Sequence, residues 1–343
     1  MGREESTTGI LGGKPSIPLD LIRLSSHLFP SSSLSLHTPT PHSITMANGD
    51  IVQQLTKLAE TYPKELGGAL VLLSALLFFL LNRATPRKVL DPVEWRSFTL
   101  TEKIALSHNT ALYRFALPHP NDSLGLPVGQ HISVMAEING KEVMRSYTPS
   151  TLDDDKGHFD LIVKTYEKGN ISRYLSLVTI GQQVKIKGPK GKFVYTRNLA
   201  PHLLMIAGGT GITPMYQIIK SSLKDAADQT KISLIYANVE ENDILLRKEL
   251  DDLAAGSNGR FVVYHVLNNP PAGWTQGTGF ITKEIIEQHQ PDGGVGSPEH
   301  GVGPKVLLCG PPPMMSAMKG HLKELGYPAP RSVSKLEDQV FLF

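Results

Sequence analysis

The apolar residues of this chain change their period once, near residue 200. From Ser97 onward they recur at every second position in short runs, SFTLTEKIAL, TALYRFAL, QHISVMAEI, GHFDLIVKTY and QVKIKG. Alternation of this kind marks half-buried strands. Turn-rich pieces such as Pro118–Gly129 and Asp153–Gly157 separate the runs, so several short strands in succession predict an antiparallel barrel. From about residue 201 the pattern becomes strand then helix: HLLMIAGG and PMYQIIKSSLK, KISLIYAN and DILLRKELDDLA, RFVVYHVL and KEIIEQH, KVLLCG and PPMMSAMKGHLKEL. That alternation predicts a doubly wound parallel sheet, which binds ligands at the carboxyl ends of its strands. No internal repeat is present.

A chain of 343 residues is long enough for two such cores. Its 34 Lys and Arg against 32 Asp and Glu leave a net charge of +2, with no general pull toward nucleic acid. The single cysteine, Cys309, excludes an intrachain disulfide and a thiolate-built metal cluster, and no metal site is expected. A reducing compartment is expected for the domain that carries it.

The N-terminal region divides differently. Residues 1–45 hold Ser and Pro clusters without a period and are expected to be disordered. Met46 opens a more orderly segment and is a candidate start, and residues 46–65 form a short pre-anchor piece. Leu66 to Leu81, LGGALVLLSALLFFLL, carries no charge. As a helix it would be about 24 Å long, a little short of a bilayer core of roughly 30 Å. Lys64 and Arg83 could snorkel to make up the difference. A buried core helix and a cleaved signal peptide are the competing readings. A single-pass anchor over residues 66–82 is preferred, because core helices are rarely apolar all round and no clear cleavage site follows. Arg83, Arg87 and Lys88 follow the run, which orients the large C-terminal part toward the cytosol. Residues 83–96 are read as a linker, 97–200 as the barrel domain and 201–343 as the nucleotide domain.

Four short motifs carry the chemistry. Gly208 to Pro214, GGTGITP, follows a strand and opens a helix. Gly208, Gly209 and Gly211 let backbone amides approach a phosphate, and Pro214 suits a first helical turn. A plain tight turn is the simpler reading. Cys309 to Met314, CGPPPM, places Cys309 and Gly310 at a strand end before Pro311 and Pro312. A buried cysteine is more often core; its place at the carboxyl edge favours a functional wall. Arg145 to Ser150, RSYTPS, joins a bidentate fork for a pyrophosphate, a flat ring at Tyr147 and a small donor at Thr148. Gly169 to Ser172, GNIS, with Asn170 and Ile171 between, begins a short helix and offers a second phosphate-ready turn.

Taken in this order, the motifs resemble the ferredoxin–NADP reductase superfamily and, within it, the membrane-anchored fungal-type NADH–cytochrome b5 reductase family. The resemblance spans Ser97 to Phe343 and includes PVGQHI, Pro127 to Ile132, and NDILLR, Asn242 to Arg247. The leader of residues 1–45 departs from the family pattern. The resemblance implies a two-domain ferredoxin-reductase-like fold, an FAD-binding antiparallel β-barrel followed by an NADH-binding doubly wound domain, with FAD and NADH as cofactors. Arg145, Tyr147 and Thr148 would contact FAD, with Arg145 on the pyrophosphate. Thr148 and His131 would sit near the flavin's reactive edge, and Val163 and Tyr166 would line the ring. Gly169, Asn170, Ile171 and Ser172 would clamp the pyrophosphate. Gly208, Gly209, Thr210, Gly211, Thr213 and Pro214 would hold the nicotinamide dinucleotide, with Thr213 facing the flavin. Cys309, Gly310, Pro311, Pro312 and Met314 would wall the nicotinamide pocket. His131, Thr148, Thr213 and Cys309 are thus the residues expected closest to the reaction.

The implied acceptor is cytochrome b5, an acidic haem protein, with a small iron protein of diphthamide synthesis as a second. Lys185, Lys187, Lys190 and Lys192 would steer it, unless they form a solvated strand face. Asp243 is the candidate for the adenosine 2′-hydroxyl, favouring NADH over NADPH; its simpler reading is a helix cap. A monomer is expected, at the endoplasmic reticulum or the mitochondrial outer membrane. Two alternatives are a same-fold reductase of a ferric chelate and an inactive anchored flavoprotein acting as a binding partner. The first would use another acceptor, and the second would hold a flavin that NADH does not bleach.

Overall fold

The computed structural model describes residues 87–291, Val295 and 303–343, together with Gln53, Thr56, Lys57, Thr61, Gly68 and residues 71–78. The expected disordered leader, the candidate start at Met46 and most of the stretch 46–86 lie outside the described residues. The chain forms two units, 1–83 and 84–343. In the first, residues 71–78 are helical. Val71, Leu72, Leu73, Leu76, Leu77 and Phe78 are each more than half exposed. Among the described residues no helix is long and apolar enough to cross a membrane.

The second unit holds two lobes. The first lobe is built of β1 (Arg96–Ser107), β2 (Thr110–Ala116), β3 (His131–Ile138), β4 (Lys141–Tyr147), β5 (His158–Lys164), helix α1 (Ile171–Leu177) and β6 (Gln183–Lys190). The strands pair in the order β4-β3-β6-β1-β2-β5, every pair antiparallel. Alternation is visible in β2 and β6, whose inward residues bury Phe115, Val184 and Ile186. The core centres on Phe98, Phe115 and Phe159, with Phe159 edge-on to the first and stacked on the second, both at 5.2 Å.

The expected barrel is realised as an open ladder. β4 and β5 stand at opposite ends of the order and do not pair as strands. Pro149 follows β4 and has no N–H to continue the ladder. Just beyond it the Ser150 N–H donates to Asp160 O at 3.0 Å, tying the two edges at one point.

The second lobe contains β7 (His202–Gly208), α2 (Ile212–Lys224), β8 (Lys231–Asn238), α3 (Arg247–Gly256), β9 (Phe261–Leu267) and β10 (Gly277–Thr278). It continues with α4 (Lys283–His289), β11 (Lys305–Cys309), α5 (Pro312–Glu324) and β12 (Val340–Leu342). Its sheet is wholly parallel, in the order β10-β9-β8-β7-β11-β12. The strands read as continuous apolar runs because both faces are covered. Ile212, Met215, Ile219 and Leu250 from α2 and α3 pack on one face. Ile286, Met318 and Leu322 from α4 and α5 pack on the other. The strand order reverses between β7 and β11, so the crevice opens at their carboxyl ends.

The structure departs from the sequence expectations in three further places. DILLRKELDDLA is not one helix: Glu241–Asp243 form a 3₁₀ turn and α3 begins only at Arg247. The cause is Leu246, whose φ of 57° lies in the left-handed region and breaks the run. The described part of the linker is not free chain. Ser123 N–H donates to Arg87 O, Leu90 N–H to Leu124 O, and Leu90 is buried in the first lobe's core. The short strands β10 and β12 were not expected.

Candidate active site

At the crevice, two motifs lock together through their glycines. A Cβ on Gly211 would lie 2.2 Å from the Cys309 carbonyl oxygen. A Cβ on Gly208 would meet Met314 Sδ at 2.5 Å, and one on Gly310 would meet the same sulfur at 2.8 Å. Gly209 has φ +52°. The end of β7 can therefore touch the end of β11 only without side chains. Thr213 is buried and donates its hydroxyl to Thr210 O at 3.2 Å, and Tyr236 Oη donates to Gly209 O at 3.0 Å. Both bonds brace the turn from below. Pro214 is buried within α2; Pro311 and Pro312 are exposed where α5 starts. Burial pushes the Cys309 thiol up to about 12, so it is a neutral, soft wall at pH 7.

On the opposite lobe, Arg145 and Tyr147 of β4 stand opposite Val134 and Ile132 of β3, while His131 at the start of β3 pairs with Lys190 of β6. Arg145 is exposed; its guanidinium donates to the neighbouring Met144 O at 2.8 Å and has no carboxylate partner among the described residues. Burial pushes the Tyr147 hydroxyl up to about 12, with Tyr113 and Tyr166 nearby. It stays a neutral donor. Thr148 and Ser150 are buried just past the strand end. Burial, aided by Lys190, holds His131 below its usual range, so it is a neutral imidazole at pH 7. Val163 is fully inside the core, so its backbone alone can face a ring; Tyr166 is half-exposed. Gly169 is tightly packed: a Cβ there would lie 2.2 Å from Ser172 Oγ and 3.0 Å from Tyr166 O. Ile171 is buried, and Asn170 makes no side-chain cap on α1. The Gly169 N–H already donates to Tyr166 O at 2.9 Å, so the turn can offer only the amides that follow it.

The two sides meet at β5. Phe159 and Leu161 point into the first lobe's core, while Ile162 packs among the nucleotide-lobe side chains, which is why this strand is buried on both faces. Its last residue, Lys164, reaches Asp243 at 3.2 Å. Asp243 also accepts from Glu240 N–H at 3.3 Å and is only 11% exposed at its side chain. Both oxygens of the carboxylate expected to meet a ribose thus already have partners, and its cap belongs to the 3₁₀ turn rather than to α3. Lys164 and Gln217, whose Oε1 accepts from Gly129 N–H at 2.7 Å, are lobe-joining residues that the motifs did not indicate. The only available signal was a polar residue inside an otherwise buried apolar run. Of the four lysines, Lys187 lies over Trp95 at 4.5 Å and donates to Val93 O, which is a packing role. Lys185 and Lys192 are exposed.

An antiparallel lobe carrying Arg145, Tyr147 and Thr148 thus stands, through β5, against the glycine turn of a parallel-sheet lobe. Residues 97–195 match the oxidoreductase FAD-binding domain family and residues 205–320 the oxidoreductase NAD-binding domain family. NADH-cytochrome b5 reductase 1 of Cryptococcus neoformans is 74% identical over 276 residues, covering 80% of this chain and 94% of that protein. The protein of that name from Aspergillus fumigatus is 57% identical over 265 residues, 75% of this chain and 83% of its own. The cytochrome b5 reductase domain of Ulva prolifera nitrate reductase superposes with a TM-score of 0.67 at 36% identity, over 75% of this chain and all of that one. The chain belongs to the NADH-cytochrome b5 reductase family.

Proposed function

We infer that this chain passes electrons from NADH through FAD to cytochrome b5. The observation that carries the reading is the contact of β5 with the Gly209–Gly211 turn, which sets the flavin-binding lobe against the dinucleotide-binding one. The residues present fit both cofactors. Gly209, with φ +52° and nothing within 4 Å of where a Cβ would stand, leaves the turn open to a phosphate, and Arg145 offers a pyrophosphate a fork that has no carboxylate partner among the described residues. When bound, FAD supplies the chemistry that side chains lack, taking two electrons as hydride and returning them singly to a haem acceptor. The protein's own part is to position. Arg145, Gly169 and Ser172 hold phosphate, and Tyr147 and Thr148 orient the ring. The turn Gly208–Thr213 holds the coenzyme, and Cys309 to Met314 exclude water. His131 stays neutral beside the reacting edge.

The run Leu66–Leu81 is a single-pass anchor in this reading, supported by its apolar sequence and by the exposure of the large apolar residues between 71 and 78. The charges at Arg83, Arg87 and Lys88 orient the reductase unit to the cytosolic side of the endoplasmic reticulum or mitochondrial outer membrane. The unit acts as a monomer, and exposed Lys185 and Lys192 attract the acidic acceptor. Deleting residues 1–82 is expected to give a yellow, soluble protein that reduces cytochrome b5 with NADH at a rate within about twofold of the detergent-solubilised full chain. An insoluble or flavin-free truncation would place the apolar run in a core. A soluble, flavin-loaded truncation that NADH reduces but cytochrome b5 does not reoxidise would instead favour another acceptor.

A further inference from the structure

Gln217 is 1% exposed in α2, whose buried residues are otherwise mostly apolar, with Thr213 and Ser222 as the smaller buried polar ones. Buried glutamine is uncommon, and a buried polar side chain is retained where it has a partner. Its partner is in the other lobe: Oε1 accepts from the Gly129 N–H at 2.7 Å, in a buried bond. Both ends of that bond are tied to the candidate site. Gln217 lies one helical turn after Thr213, so the two share a face of α2. Gly129 lies two residues before His131. Its φ of +90° suits glycine, and a Cβ there would strike Phe193 Cδ1 at 2.4 Å. Phe193 is in turn packed against Phe341 at 4.9 Å and Phe343 at 5.4 Å, at the chain's C-terminal end. Beyond Gly129, Gln130 Nε2 donates to Gly191 O, and Gly191 packs against the His131 ring. The path from Thr213 to His131 therefore runs through Gln217, Gly129 and Gly191 with no loose segment.

We propose that Gln217 is a positioning residue: it fixes the coenzyme-binding helix against the Pro127–His131 loop and so sets how closely the two cofactor sites face each other. Asparagine would be short by one methylene, and leucine would leave the Gly129 N–H buried without an acceptor. The proposal rests on the NADH and FAD reading above, and the wild-type control separates the two. If NADH failed to bleach the wild-type flavin, that reading would fail first.

The test compares Gln217→Leu and Gln217→Glu in the FAD-loaded chain. Gln217→Leu is expected to speed hydrogen exchange at the Gly129 amide by at least about tenfold and to slow anaerobic flavin bleaching by NADH by at least about tenfold. FAD content and half-saturating NADH should stay within about threefold. Gln217→Glu keeps an oxygen at the same reach and should bleach within about threefold of wild type. If Gln217→Leu does not fold, Gln217→Asn carries the same expectations as the leucine variant. Wild-type bleaching in the leucine or asparagine variant overturns the proposal. So does a glutamate variant as slow as they are.

Discussion

Gly211→Ala is expected to lower the rate of flavin reduction by NADH by at least about 100-fold while leaving FAD bound. The added Cβ would lie 2.2 Å from the Cys309 carbonyl oxygen and 2.6 Å from its carbon. Both are backbone atoms, so no rotamer change relieves the clash. The ends of β7 and β11 must separate, or the turn must tilt. Overpacking of this kind costs about 1–3 kcal/mol. Its larger consequence is positional, because a shift of about 1 Å in a substrate-holding turn can cost 100-fold in rate, or about 2.7 kcal/mol. The flavin site lies on the other lobe and should be untouched. Rapid mixing of the oxidised variant with NADH, following flavin absorbance, measures the effect. Reduction within about threefold of wild type would mean that the turn does not carry the coenzyme.

Arg145→Ala should strip the chain of flavin. The side chain is exposed, donates only to Met144 O, and has no carboxylate partner among the described residues, so its removal costs the fold little. A bidentate, charge-assisted pair to a pyrophosphate is worth roughly 3 kcal/mol, which is about 100-fold in affinity. The expected protein is colourless after purification, with an unchanged far-ultraviolet circular dichroism spectrum. Titration of the stripped protein with FAD measures the loss. Wild-type affinity in the variant would place the pyrophosphate elsewhere.

These two effects belong to motifs that were legible in the sequence. GGTGITP and CGPPPM announce themselves because glycine and proline are read from local backbone chemistry, and that chemistry survives folding. The two-lobe division was legible because period two and strand–helix alternation each follow from a single element's exposure. What sequence could not show depends on distant partners. β5 is buried on both faces because the second lobe covers it, so its burial does not follow the alternation expected of GHFDLIVKTY. Asp243 reads locally as a cap or a ribose acceptor, but Lys164, 79 residues away, takes one of its oxygens. The stretch Arg87–Leu90 falls in the expected linker, between Pro86 and Pro92, and docks through backbone hydrogen bonds and the Arg87–Asp122 ion pair, whose partners are distant in sequence. The break before α3 rests on the left-handed conformation of Leu246, a residue type that gives no warning of it.

The most direct measurement of the central claim is an anaerobic titration of the FAD-loaded chain with NADH, followed by ferric cytochrome b5. About one NADH is expected to bleach each flavin, and about two cytochromes are then expected to restore its colour, each appearing in the ferrous form. A flavin that NADH leaves oxidised, or a reduced flavin that cytochrome b5 does not reoxidise, would contradict it.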